Sequence, residues 1–203
     1  TISPSDYINR IGRQAREASR TMARVSTSAK NAVLERIAEL LLEQETNIRA
    51  ANEADLESAR AEGLGEAFLD RLTITAAGLR AMAEGCRQIA ALEDPVGTIS
   101  DLAPRPSGIE VGRMRVPLGV LAMIYESRPN VTIDAAALAL KSGNAIILRG
   151  GHEALRSNTA LWEIIVQALG EQGLPVHAVQ LIESSDRALV GELIRARDHV
   201  DVL

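Results

Sequence analysis

At 203 residues the chain can form one large domain or two small ones, and its 46% hydrophobic residues supply a core that, with only 2% aromatics, is aliphatic. A net charge of −5 argues against a nucleic-acid partner reached through bulk electrostatics, and a single cysteine excludes an internal disulfide and fits a reducing compartment. No run approaches 18 apolar residues and the N-terminus has no signal-peptide layout, so a cytoplasmic protein without a membrane partner is expected.

Residues 5–26 carry Ile8, Ile11, Ala15, Ala18, Met22 and Val25 at helical spacing, with Ser5 or Asp6 as the expected cap. A second helix is expected from near Ser28 to Ala61, burying Val33, Ile37, Leu40, Leu41 and Ile48. Its other face carries Glu35, Glu39, Glu43, Glu45, Glu53 and Glu57, which reads as a solvated acidic face. Gly63 and Gly65 interrupt the pattern. Glu66–Leu72 makes a short helix, and Thr75 caps another that runs to Ala91. Cys86 falls on the apolar stripe of that helix with Leu79, Met82 and Ile89. No electropositive setting for a thiolate is visible, so Cys86 reads as a structural thiol.

Residues 93–117 are rich in proline and glycine, which disfavours helix. Val96–Leu102 and Ile109–Val116 read as an antiparallel ribbon whose open edges suit pairing with a second copy, so a homo-oligomer is expected. From Leu118 onward strands alternate with helices: strands at 118–125, 145–149, 178–182 and 199–203, helices at about 131–142, 157–171 and 187–196. The strands are short, aliphatic and not alternating, as in a parallel sheet covered on both faces. The fold class is therefore α/β. Helices over 1–92 pack on the rest, 93–117 forms a linking ribbon, and 118–203 begins a doubly wound, Rossmann-like parallel sheet. The last strand has no helix after it, so the sheet is expected to continue past Leu203.

Polar groups gather at the strand ends, where open parallel sheets bind ligands. After the first strand comes Tyr125-Glu126-Ser127-Arg128-Pro129-Asn130. Pro129 suits a first helical turn, whose N–H groups and the Arg128 guanidinium favour an anion, while Ser127 and Asn130 add neutral donors. The same residues also describe an ordinary helix start with Arg128 paired to Glu126. After the second strand comes Arg149-Gly150-Gly151-His152-Glu153. There the glycines allow close backbone approach or left-handed angles, and Arg149 is placed for a ribose or phosphate; an ordinary tight turn is the alternative. Neither standard nucleotide fingerprint is present. After the third strand, Ser185 or Asp186 is the expected cap of the next helix. Ser185 and Arg187 share the Arg149 edge and could hold a 2′-phosphate of NADP. His152, His177 and His199 lack partners at metal-ligand spacing, so no metal site is expected.

The run PLGVLAMIYESRPNVTIDAAALALKSGNAIILRGG resembles the glutamate-5-semialdehyde dehydrogenase family, or γ-glutamyl phosphate reductases, through YESRPNVT, LKSGNA and ILRGG. The likeness extends through GLPVHAVQLIESSDRALVGELI and the RAEGL segment. That family lies within the aldehyde dehydrogenase superfamily, whose wider pattern is PxGVxxxIxPWNFP followed by GNxxxxKPSE. Here Ser127 stands at the oxyanion-hole Asn position, Arg149 at the ribose-binding Lys position, and Gly150-Gly151 in place of Pro-Ser.

The resemblance implies an aldehyde dehydrogenase-like fold that stops before the catalytic domain. It also implies NADPH-dependent reduction of a small acidic phosphorylated substrate, L-γ-glutamyl 5-phosphate, to L-glutamate 5-semialdehyde with release of phosphate. Expected cofactor contacts are Tyr125, Glu126, Ser127, Arg149, Gly150, Gly151, Ser185 and Arg187; expected substrate contacts are Ser127, Arg128 and Asn130. The nucleophilic cysteine is expected beyond Leu203, so no catalytic residue is assigned within the chain and the 203 residues alone are expected to be inactive. Glutamate 5-kinase is an implied functional partner. A catalytically silent nucleotide-binding or assembly module, and another acylating aldehyde dehydrogenase, are the alternatives.

Overall fold

A computed structural model describes residues 2–184 and 186–203. Helix α1 (Pro4–Met22) is capped by Ser3, whose Oγ accepts the Asp6 N–H at 3.1 Å. The cap lies ahead of the expected Ser5 or Asp6, because Pro4 has no N–H to satisfy and fits the first turn. The expected single helix from Ser28 to Ala61 is two: α2 (Thr27–Glu43), capped by Ser26, and α3 (Glu45–Ala61). The backbone leaves helical angles at Gln44 (φ −104°, ψ 18°), whose amide donates to Gln167 at 2.9 Å. A straight helix over that span would be about 50 Å long. The break keeps Leu40, Leu41 and Ile48 in the same core.

Helices α4 (Glu66–Leu72) and α5 (Ala76–Ala91) follow, the latter capped by Thr75 Oγ1, which accepts the Gly78 N–H at 2.9 Å. Strands β1 (Ile99–Pro104) and β2 (Glu110–Met114) form a separate antiparallel ribbon with a bulge between Ser100 and Ala103. Asp101, at φ 54°, sits in that bulge.

The parallel sheet comprises β3 (Val120–Ile124), β4 (Ala145–Arg149) and β5 (Val179–Leu181), connected by α6 (Asn130–Lys141) and α7 (Leu155–Glu171). Helix α8 (Ala188–Arg195) comes last. All five β4 residues are buried, and their alternation divides the core. Ala145 and Ile147 face Ile8, Ile11 and Ala15 of α1 and Leu189 and Leu193 of α8. Ile146 and Leu148 face α2, α5, α6 and α7. Both faces are covered, which is why β4 carries no polar alternation.

The expected strand at 199–203 does not form. The only ladder contact there is a parallel bridge between Leu121 and Val202. Residues 197–200 are spent on a turn after α8, so only Asp201 and Val202 reach the sheet. They lie on the side of β3 away from β4: the Ala122 N–H donates to Val202 O and the Asp201 N–H to Val120 O, each at 2.8 Å. The lateral order therefore reverses at β3, and such a reversal opens a crevice at the carboxyl ends of the strands. No described helix is long and apolar enough to cross a membrane.

Candidate active-site cleft

A cleft of about 520 Å³ occupies that edge. Tyr125, Glu126 and Ser127 from the end of β3 line it, as do Arg149, Gly151, His152 and Glu153 from the end of β4, and Arg187 and Val190 at the head of α8. Phe68 of α4 closes one side.

The β3 end is held by a polar chain. The Tyr125 hydroxyl lies 2.7 Å from Thr132 Oγ1, which donates to Asn158 Oδ1 at 3.1 Å. Burial pushes the Tyr125 phenol up to about 12, against the pull of Thr132 and of the Arg149 charge. It is therefore a neutral hydrogen-bonding group at working pH. Ser127 is buried, and its Oγ donates to Glu153 Oε2 at 3.2 Å, joining the two turns.

The glycines after β4 are set by space. Neither Gly150 nor Gly151 uses a left-handed φ, so that sequence-based alternative does not apply. A Cβ on Gly150 would run into the Asn158 amide and lie 3.2 Å from the Tyr125 ring. One on Gly151 would lie 2.6 Å from Glu153 Oε2 and 3.1 Å from Ser127 Oγ.

Arg149 is the unusual group. It is only 8% exposed, and one terminal nitrogen donates to the Gly150 carbonyl. Among the described residues its buried Nε has no partner, and neither has the Nδ2 of Asn158. A buried donor without an acceptor costs roughly 1–3 kcal/mol.

The other expected site residues are spread along the same edge. Arg187 is exposed in the cleft wall, and the Asp186 carboxylate caps α8 by accepting the Ala188 N–H at 2.8 Å. The expectation for Ser185 lies outside the described residues. Gly150 is not among the residues that line the cleft. Arg128 lines a smaller adjoining hollow of about 140 Å³, which shares Phe68, Tyr125, Glu126 and Ser127 with the cleft. Asn130 turns away into a further hollow of about 350 Å³ and donates to Asp134 at 3.1 Å. The structure thus brings Ser127 and Arg128 together and sets Asn130 apart. Sequence reasoning missed Phe68, Thr132 and Asn158 entirely and assigned Glu153 no role. The adjacency of Glu153 to the Arg-Gly-Gly turn was the one available signal.

Cys86 is buried, and burial, with Asp134 adding to it, pushes its thiol up to about 12. It stays protonated and carries no nucleophile character. His177 is exposed, His152 lies at the cleft mouth beside Glu153, and His199 packs against Gly12, where a Cβ would lie 2.6 Å from the His199 side chain. Among the described residues no three metal-ligating side chains cluster.

The sequence model of the aldehyde dehydrogenase family matches residues 3–203. The chain belongs to the aldehyde dehydrogenase family. Two solved γ-glutamyl phosphate reductases are similar to it. The Thermotoga maritima protein is 41% identical with a TM-score of 0.94, over 96% of this chain and 47% of that one. The Saccharomyces cerevisiae protein is 31% identical with a TM-score of 0.89, over 100% and 51%. A probable aldehyde dehydrogenase from Listeria monocytogenes, at 15% identity and a TM-score of 0.74, covers 98% of this chain and 41% of its own and shares the fold alone. The chain spans about half the length of the two reductases. Glu126 and Ser127 of the ESRPN turn and Arg149 and Gly151 of the RGG turn line one cleft.

Proposed function

We propose that this chain supplies the cofactor-binding part of an NADPH-dependent, cytoplasmic reductase. The reaction converts L-γ-glutamyl 5-phosphate to L-glutamate 5-semialdehyde with release of phosphate, a step of proline biosynthesis. Likeness to two proteins named γ-glutamyl phosphate reductase supports the reaction. The observation that carries the cofactor reading is Arg149, a buried guanidinium with an unpartnered Nε at the reversal of strand order.

The residues present fit a phosphorylated dinucleotide. Arg149 offers a charge-assisted donor to ribose or phosphate oxygens, and Arg187 adds a second positive group in the same wall. Gly151 leaves room for the Ser127 and Glu153 side chains to meet at the cleft lining. When bound, the nicotinamide cofactor supplies the hydride. Ser127, whose hydroxyl is held by donation to Glu153, is assigned to the reacting end of the substrate, and Arg128 attracts the acidic substrate. The nucleophile is assigned to a cysteine of the full-length enzyme outside these 203 residues, since Cys86 is buried and protonated. Pairing of ribbons between copies and a functional contact with glutamate 5-kinase belong to the same reading.

The test uses full-length enzyme carrying Arg149→Ala, titrated with NADPH and with NADH. Loss of charge-assisted hydrogen bonds to phosphate is expected to weaken NADPH about tenfold or more, and NADH distinctly less. Equal losses for the two cofactors would sink the 2′-phosphate role of Arg149.

A further inference from the structure

Three hollows run in series along the Tyr125–Asn130 turn. The cleft shares Phe68, Tyr125, Glu126 and Ser127 with the small hollow beside Arg128, and the small hollow shares Arg71 with the hollow beside Asn130. On the reductase reading, the cofactor and the reacting end of the substrate belong to the first. An elongated substrate therefore extends its far end towards the third.

The third hollow, of about 350 Å³, has an apolar floor that includes Ile74 and Met82 and carries two opposite charges in its wall, Arg71 and Asp134. Neither is spent on the protein's own charges. Arg71 lies over the Phe68 ring at 6.0 Å and uses its Nε on the Ala67 carbonyl at 3.1 Å. Asp134 accepts one hydrogen bond, from Asn130 at 3.1 Å. Among the described residues neither has an oppositely charged partner within salt-bridge reach, whereas Arg36 engages Glu39, Glu43 and Glu171, and Arg156 engages Asp55. A cation and an anion lining one hollow, each held by a neighbour and neither neutralising the other, are complementary to a zwitterion.

We propose that this hollow recognises the α-amino-acid head group of the substrate. Arg71 receives the α-carboxylate and Asp134, steadied by Asn130, receives the α-ammonium group. The inference rests on the reductase reading above and names the specificity determinants of that site. It makes Arg71 and Asp134 binding residues remote from the bond that breaks, so they act on substrate choice rather than on the chemical step. It also gives the turned-away Asn130 a role in holding Asp134.

The test runs the full-length enzyme in the oxidative direction, with phosphate and NADP⁺. The aldehydes are glutamate 5-semialdehyde, glutarate semialdehyde, which lacks the ammonium group, and butanal, which lacks both charges. Arg71→Gln is expected to raise KM about tenfold for the two carboxylate-bearing aldehydes, the loss of one charge-assisted contact, with kcat changed by less than about twofold. Arg71→Lys is expected to recover part of that loss. Asp134→Asn is expected to raise KM for glutamate 5-semialdehyde and leave that for glutarate semialdehyde nearly unchanged. The KM for NADP⁺ stays within about twofold in each variant. Equal loss with butanal would show that Arg71 only supports the fold and would overturn the proposal. If the wild-type enzyme oxidises glutamate 5-semialdehyde and Arg71→Gln matches it, this inference alone falls. If the wild type takes butanal but not glutamate 5-semialdehyde, the reductase reading falls and this inference with it.

Discussion

Gly150 sits where two side chains leave room for none of its own. A methyl there would meet the Asn158 amide on one side and the Tyr125 ring on the other. Relief requires moving one end of the Tyr125–Thr132–Asn158 chain, which fixes where β3 ends. Gly150→Ala is expected to cost about 1–3 kcal/mol through overpacking. The readout is a lower urea midpoint at unchanged m value, with weaker NADPH binding; wild-type stability would show that the turn can give. This residue also marks the limit of what the sequence discloses. The glycine pair at a strand end is a local pattern and could be read. Thr132 and Asn158 are polar residues inside two different helices, and nothing local says that they point inward and meet. Only packing of α6 against α7 turns them into one network.

Among the elements, α3 positions the start of α7 and the link after α4 without lining the cleft. Its Asp55 carboxylate accepts the Ser157 N–H and hydroxyl, each at 2.7 Å, so it caps α7 from another helix. Helix α7 has no cap of its own, since Ala154 stands at that position. One turn earlier, the Asn52 amide donates to Leu72 O and its Oδ1 accepts the Ile74 N–H, each at 2.8 Å. That fixes the link carrying Arg71 and Phe68 towards the hollows. Asp55→Ala is expected to cost about 1.5–3 kcal/mol, because a buried charged acceptor of several hydrogen bonds is lost. Hydrogen exchange is expected to quicken first at the α7 N-terminus; uniform quickening, or none, would contradict the capping role. The sequence pattern showed helix here but read the polar side of 28–61 as a solvated acidic face. Asp55 interleaves with those glutamates and carries no local mark that sets it apart. The break at Gln44 was equally hidden, since it uses neither glycine nor proline and arises from the need to fold α3 back onto α7.

At the scale of the molecule, the reversal of strand order depends on one carboxylate. Asp201 accepts Arg16 Nη1 at 2.5 Å and Nη2 at 3.1 Å, and the Val120 N–H at 2.8 Å, tying the C-terminal segment to α1 and β3 together. A side chain on Gly119 would occupy the space that carboxylate fills. The reversal was not legible beforehand: four aliphatic runs can be recognised one by one, but lateral order is set by which edge the last run meets. The Arg16 hydrogen bonds first, and the Val120 N–H after them, hold the Asp201 carboxyl below its ordinary 3.8 against the opposing effect of burial. For Asp94, burial is the largest influence and raises the value. The combined hydrogen bonds of Lys30, Thr27 and the Val96 N–H, with the Lys30 charge, still bring it below 3.8. A carboxyl whose value is depressed in the folded state binds protons less readily there than in the unfolded chain. Its contribution to stability is therefore full above about pH 4 and is lost as pH falls through the lower folded value. The urea midpoint is expected to hold between pH 7 and 5 as far as these groups decide it, and to fall below about pH 4. Asp201→Asn is expected to lower the midpoint at pH 7 and flatten the acid limb, because the titrating group is gone while part of the hydrogen bonding remains. An acid limb as steep in Asp201→Asn as in the wild type would mean that the junction at β3 is not held by the Asp201 charge.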